Sequence, residues 1–185
     1  MLDEPEAAVA LLAEVWSVVP PDVEQDWIRR MSDVGAHLLT VLPTSLLLAT
    51  TFRRAARTLR THGNLRPAAI HGMRELAIHR QRDDDPDATA TSLHDLAETY
   101  RTQGRMRKVI DCADETLETY LLHGHRAGVA RTLTHLGTLM SEVGRHDSAV
   151  KYFTRADKAY EDLPDTTARA ECLAGLGRAL WLSGE

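Results

Sequence analysis

The chain has 185 residues, 43% of them hydrophobic, with 22 Lys and Arg against 27 Asp and Glu for a net charge of −5. This length suits one compact domain or a short repeat array, and the acidic balance excludes a general electrostatic attraction to nucleic acid. No apolar run reaches the roughly 18 residues of a membrane helix, and no signal-peptide pattern stands at the N-terminus, so a cytoplasmic protein is expected.

The first predicted elements are two helices, EPEAAVALLAEVWSVV and PDVEQDWIRRMSDVGAHLL, split by Pro20 and Pro21. They fill residues 1–42 as a degenerate repeat or N-terminal cap. From residue 43 onward the sequence repeats itself. Gly104, Gly144 and Gly184 lie 40 residues apart, as do Ala90, Ala130 and Ala170, Leu93, Leu133 and Leu173, and Leu96, Leu136 and Leu176. Ala97, Gly137 and Gly177 form a small column, and Tyr100, Met140 and Leu180 a bulky one. Ala49, Phe52, Ala56, Leu59 and Gly63 give a weaker upstream copy.

Within each unit the apolar spacing is that of one helix face, and each run stops at its glycine, where φ > 0 closes a tight turn. Second helices are predicted over Leu65 to Gln81, Met106 to Leu122 and His146 to Glu161. The linkers are DDDPDA (83 to 88), HGHRAG (123 to 128) and DLPD (162 to 165), with Pro86 and Pro164 near the start of the next helix. The small mid-helix residue lets the partner helix approach closely. The predicted units are 43–83, 84–124, 125–164 and a half-repeat 165–185, in one continuous array of about nine helices without strands. The last helix, 170 to 184, has no partner after it, leaving Leu173, Leu176 and Leu180 partly covered. Either the chain is part of a longer repeat protein, the preferred reading, or this face is a homodimer contact.

These residues resemble the tetratricopeptide repeat family. Its pattern of leucine, small residue, large residue and turn glycine is matched by Leu136, Gly137, Met140 and Gly144, and its second-helix pattern by Ala149, Phe153 and Ala156. A second unit has Leu96, Ala97, Tyr100 and Gly104, then a looser Val109, Ala113 and Thr116; Leu93 and Leu133 replace the usual tryptophan. The forty-residue spacing is similar to repeats of bacterial, including actinobacterial, signalling ATPases and transcriptional regulators. The resemblance implies a right-handed all-α solenoid of antiparallel helix pairs and a non-catalytic module that binds protein or peptide in its concave groove.

In that arrangement the groove side chains flank the leucine stripe of the first helices. They are Arg53, Arg54, Arg57 and Arg60, then His94, Glu98 and Arg101, then Arg131, His135, Thr138 and Ser141, then Arg178 and Trp181. The arginine cluster suits an acidic segment or a C-terminal carboxylate. Its alternative reading is a solvated face paired with nearby Asp and Glu; a nucleic-acid-binding solenoid using Arg53 to Arg60 is a further alternative.

No HExxH, GxSxG, GxxxxGK[ST] or GxGxxG motif occurs, so neither catalysis nor a cofactor is expected. His123 and His125 are the best case for a metalloprotein, but no carboxylate or cysteine lies beside them, and an exposed linker is the preferred reading. DDDPD (83 to 87) lacks the calcium-loop spacing and reads as a helix-capping linker. Cys112 and Cys172 fall on apolar-periodic stretches and are expected to be buried thiols.

Overall fold

The computed structural model describes residues 4–164 and 166–184. Among these residues there are nine helices and no strand: α1 (Glu4–Ser17), α2 (Gln25–Val41), α3 (Leu46–Thr61), α4 (Leu65–Arg82), α5 (Pro86–Thr102), α6 (Met106–Leu122), α7 (Arg126–Glu142), α8 (His146–Tyr160) and α9 (Thr166–Ser183). Asp165, in the third linker, and Glu185 lie outside the described residues. The second helices start and stop within one residue of their expected positions. Two boundaries differ from expectation: α2 begins at Gln25, after a Pro20–Pro21 turn, and α9 begins at Thr166, two residues after Pro164. α2 thus starts later than the expected segment from Pro21, and α9 starts four residues earlier than the expected 170.

Turn chemistry fixes the hairpins. Gly144 has φ of 74°, and the next N–H, that of Arg145, returns to Met140 O at 2.8 Å. The same six-to-one bond closes α3 (Asn64 N to Leu59 O, 2.8 Å), α5 (Arg105 N to Tyr100 O, 2.9 Å) and α6 (His125 N to Tyr120 O, 2.9 Å). A β-carbon would be strained there, which is why glycine recurs in these turns. Helix starts are capped by side chains: Ser45 Oγ accepts from Leu48 N, Asp85 Oδ1 from Ala88 N, and His125 Nδ1 from Gly128 N. Such caps contribute about 0.5–2 kcal/mol each. Pro86 sits at the first turn of α5, where its missing N–H costs nothing.

The chain divides into two compact units, residues 1–109 and 110–185, the division falling inside α6. In the first unit α3 and α4 form an antiparallel pair, α5 packs on α4, and α1 packs on α3. Their core contains Val9, Leu12, Trp16, Ile28, Leu38, Leu48, Phe52, Leu59 and Ile78. Trp16 meets Trp27 edge to face at 5.4 Å, so the N-terminal helices join this core by aromatic packing. Each fully buried Phe or Leu contributes about 1.5–3 kcal/mol.

In the second unit α7 and α8 pair, and α9 packs against α8 and touches α7. Phe153 of α8, 2% exposed, is the hinge of this packing. A β-carbon on Gly137 of α7 would stand 2.8 Å from its ring, and one on Gly175 of α9 would stand 2.6 Å away. The ring therefore lies against two glycines on two helices. Gly137 has the close-approach role expected of the small column. Gly177, its partner in that column, has nothing within 4 Å of its would-be β-carbon. The glycine of α9 that closes on a neighbour is Gly175, two positions earlier.

Candidate functional site

The inward side of α4 carries polar side chains where leucine would be expected. His71, Glu75 and His79 recur every four residues and are all buried. Glu75 is the centre of an ion-paired seam. Its Oε1 accepts from Arg53 Nε on α3 at 2.5 Å and from Ser92 Oγ on α5 at 2.9 Å. Burial pushes the Glu75 carboxyl up, against the opposing pull of the Arg53 charge and the two hydrogen bonds. Buried carboxylates persist only with such partners.

Asp95 of α5 extends the seam. Its Oδ2 lies 2.8 Å from Arg57 Nη2 and 3.9 Å from Arg53 Nε, and its backbone oxygen accepts from Arg60 Nη1 at 2.9 Å. Three of the four clustered arginines thus converge on one residue of the next first helix. Arg54 points elsewhere, donating to Ala13 O of α1 at 3.3 Å. Arg53 and Arg57 are paired with carboxylates of their own chain, Arg54 and Arg60 donate to backbone oxygens, and Arg53 is only 28% exposed in its side chain.

The other expected contact residues of the first unit lie on α5. His94 is exposed, and Arg101 Nε stands 3.6 Å from Glu98 Oε1, one helical turn away. In the second unit Arg131 and Thr138 are exposed on α7, while His135 and Ser141 are half-buried. On α9 Arg178 is exposed and Trp181 is 78% exposed. Leu173 and Leu182 of the same helix are also exposed, whereas Leu133 on α7, the counterpart of Leu173 forty residues earlier, is covered.

The sequence reading missed Glu75, Ser92 and Asp95. For Glu75 the signal was the polar period of four on α4, beside a stripe of Ala68, Gly72 and Leu76; Ser92 and Asp95 on α5 carried no such signal. His71 is the extreme case: burial, with Arg74 nearby, lowers its pKa to about 3. Its Nε2 lies 2.9 Å from Ser32 Oγ of α2, and its ring meets Trp16 edge to face at 5.1 Å. These are contacts of a core histidine.

The linker histidines have local roles. His125 Nδ1 caps α7 and its ring stacks on Tyr120, and His123 Nδ1 lies 2.8 Å from Thr119 O. Among the described residues no three His, Cys, Asp or Glu side chains are grouped to hold a metal ion. In the acidic linker Asp83 ends α4 in the left-handed conformation at φ 50°, Asp84 pairs with Arg82, and Asp85 caps α5. Cys112 and Cys172 are buried free thiols, as expected. No helix among the described residues is long and apolar enough to cross a membrane.

Residues 88–162, from α5 through α8, match the tetratricopeptide repeat family. These residues are tetratricopeptide repeats. The likeness of fold extends to the whole chain. A structure of nearly identical tetratricopeptide-like repeats from a Podosopora anserina kinesin light chain-like protein superposes with a TM-score of 0.62 at 12% identity, covering 99% of this chain and 90% of that one. BtubC from P. vanneervenii gives 0.62 at 21% identity, covering 98% and 76%. A signal transduction ATPase with numerous domains from Pyrococcus horikoshii, which carries a tetratricopeptide repeat sensor, gives 0.63 at 13%, covering 96% of this chain and 27% of that one. No curated protein matches the chain in sequence. Tetratricopeptide repeat proteins are in general non-catalytic protein-interaction modules of the α-solenoid class, and the fold here is of that class.

Proposed function

We propose that this tetratricopeptide repeat chain binds a protein or peptide partner through the exposed side of its first helices, as the sensor or assembly arm of a cytoplasmic bacterial regulator. The observation that carries the reading is Trp181, 78% exposed on α9 with Arg178 one turn before it. An indole one turn from a guanidinium offers apolar contact area together with a bidentate partner for a carboxylate, and Trp and Arg are both enriched among interface hot spots. An acidic segment or a C-terminal carboxylate next to an apolar side chain meets both groups. Leu173 and Leu182 extend the same helix as apolar surface, and a second copy of the chain is the competing occupant. The sensor assignment draws support from the Pyrococcus horikoshii neighbour, whose repeats are described as a sensor. Burial of both cysteines as free thiols agrees with a reducing compartment.

The test is affinity capture with the whole chain and with Trp181→Ala and Arg178→Glu, each checked by thermal melt. The reading requires a captured partner that both substitutions release while the fold is kept. Capture indifferent to both substitutions overturns it. Sedimentation of the purified chain separates the homodimer: a dimer dissociated by Trp181→Ala assigns the face to self-association.

A further inference from the structure

The first unit carries a second open surface, on the opposite class of helix from the groove expected in the sequence. A depression of about 810 Å³ lies between the start of α4, the end of α5 and the start of α6. Arg66, Ile70 and Met73, spaced by four and three, fall along one side of α4 and line it. Ile70 is 37% and Met73 45% exposed, so aliphatic side chains form part of its open surface. Arg105 and Lys108 line it from the other side.

Its charge runs against that of the molecule. The chain is acidic overall, yet no carboxylate lines this depression, and Arg66, Arg105 and Lys108 are exposed without an ion pair among the described residues. The contrast with Arg53 and Arg57 is direct, since those arginines are matched by Glu75 and Asp95. Tyr100 also borders the depression, but its ring is 5% exposed and Lys108 Nζ stands 5.0 Å from its centroid. No open aromatic face is left for a nucleobase to stack on, whereas Ile70 and Met73 suit an aliphatic side chain.

We infer that this depression is a docking surface for an amphipathic acidic peptide, with its aliphatic side chains on Ile70 and Met73 and its carboxylates toward Arg66, Arg105 and Lys108. The complementarity of three unmatched cations argues for that occupant. The depression shares no lining residue with Arg178 and Trp181, so it stands or falls independently of the function proposed above.

The probe is a fluorescein-labelled peptide in which pairs of Glu alternate with pairs of Leu, titrated with the full chain and followed by anisotropy. Binding should weaken with salt and drop about tenfold or more when Leu is replaced by Ser in the peptide, a comparison that needs only the wild-type chain. Arg66→Glu with Lys108→Glu, and separately Met73→Ser, should each weaken it by a similar factor. Arg29→Glu with Arg30→Glu changes the net charge equally on α2 and should leave binding in place. The inference is overturned if the peptide does not bind, if the Leu-to-Ser peptide binds equally well, or if the α2 reversal acts as strongly as the groove reversal. Displacement of the peptide by single-stranded RNA that binds more tightly also overturns it, in favour of a nucleic-acid surface.

Discussion

Arg53 Nε donates to Glu75 Oε1 at 2.5 Å, joining a first helix to the buried face of the second helix behind it. An arginine read from the sequence as facing a partner is thereby committed to its own fold. The pair has consequences for stability and for how any arginine substitution should be interpreted.

Glu75→Ala removes the acceptor shared by Arg53 and Ser92 and leaves Arg53 with Asp95 at 3.9 Å. The expected loss is about 1–3 kcal/mol, the lower half of the range for a broken buried pair because Arg53 reaches solvent. Glu75→Gln keeps an acceptor without the buried charge and should lose less. Urea unfolding of both variants measures the difference; equal midpoints for Glu75→Ala and wild type would remove the seam's structural role. A charge reversal at Arg53 would lower stability along with any binding, so it cannot by itself report on a partner.

The glycines separate by packing. Gly137→Ala and Gly175→Ala place a methyl group at 2.8 and 2.6 Å from the Phe153 ring, and each should destabilise the second unit by about 1–3 kcal/mol. Gly177→Ala meets nothing within 4 Å and should stabilise α9 by up to about 1 kcal/mol through helix propensity. Thermal melts that rank Gly177→Ala below Gly175→Ala would contradict this placement. The forty-residue column put Gly137 and Gly177 together because sequence registers repeat positions. It says nothing of whether a neighbour is there to use the space.

His71 makes stability depend on pH. Its folded pKa of about 3 lies below the ordinary 6.5, so between these values the unfolded chain binds a proton that the folded chain refuses. Its contribution is fully present above pH 6.5 and is lost as pH falls toward 3, at up to about 1.4 kcal/mol per pH unit for one proton. His79, also lowered by burial, acts in the same direction, and Glu75, raised by burial, acts in the opposite one. Stability measured from pH 7 to pH 4 should therefore fall less steeply in His71→Gln than in wild type. Identical slopes would mean that the imidazole takes up its proton in the fold at the same pH as in the unfolded chain.

The thiols should be inert in the native state. Cys172 is fully buried, its Sγ–H donates to Phe153 O at 3.3 Å, and burial pushes its pKa up; Cys112 is 7% exposed. Reaction with a thiol reagent should occur only at the rate of unfolding, with both groups reacting promptly in denaturant. A prompt native reaction of one thiol would show an opening of its helix pair.

Much of the molecule was legible from local chemistry. Helix period, proline placement and the glycine that takes positive φ act over a few residues, so the second helices, the hairpin turns at Gly104 and Gly144 and the burial of Leu96, Leu136 and Phe153 follow from the sequence alone. The electrostatics of the first helices did not follow. Arg53 finds Glu75 22 residues away, Arg57 finds Asp95 38 away, and Ser32 finds His71 39 away. Those distances in sequence are bridged only when helices pack, and packing decides whether a charged side chain meets a carboxylate or water. The sequence thus determined a tetratricopeptide-type array and its turns. Tertiary structure decided that the arginines of α3 close a seam, that Gly175 and not Gly177 receives Phe153, and that the unmatched cations stand at Arg66, Arg105 and Lys108.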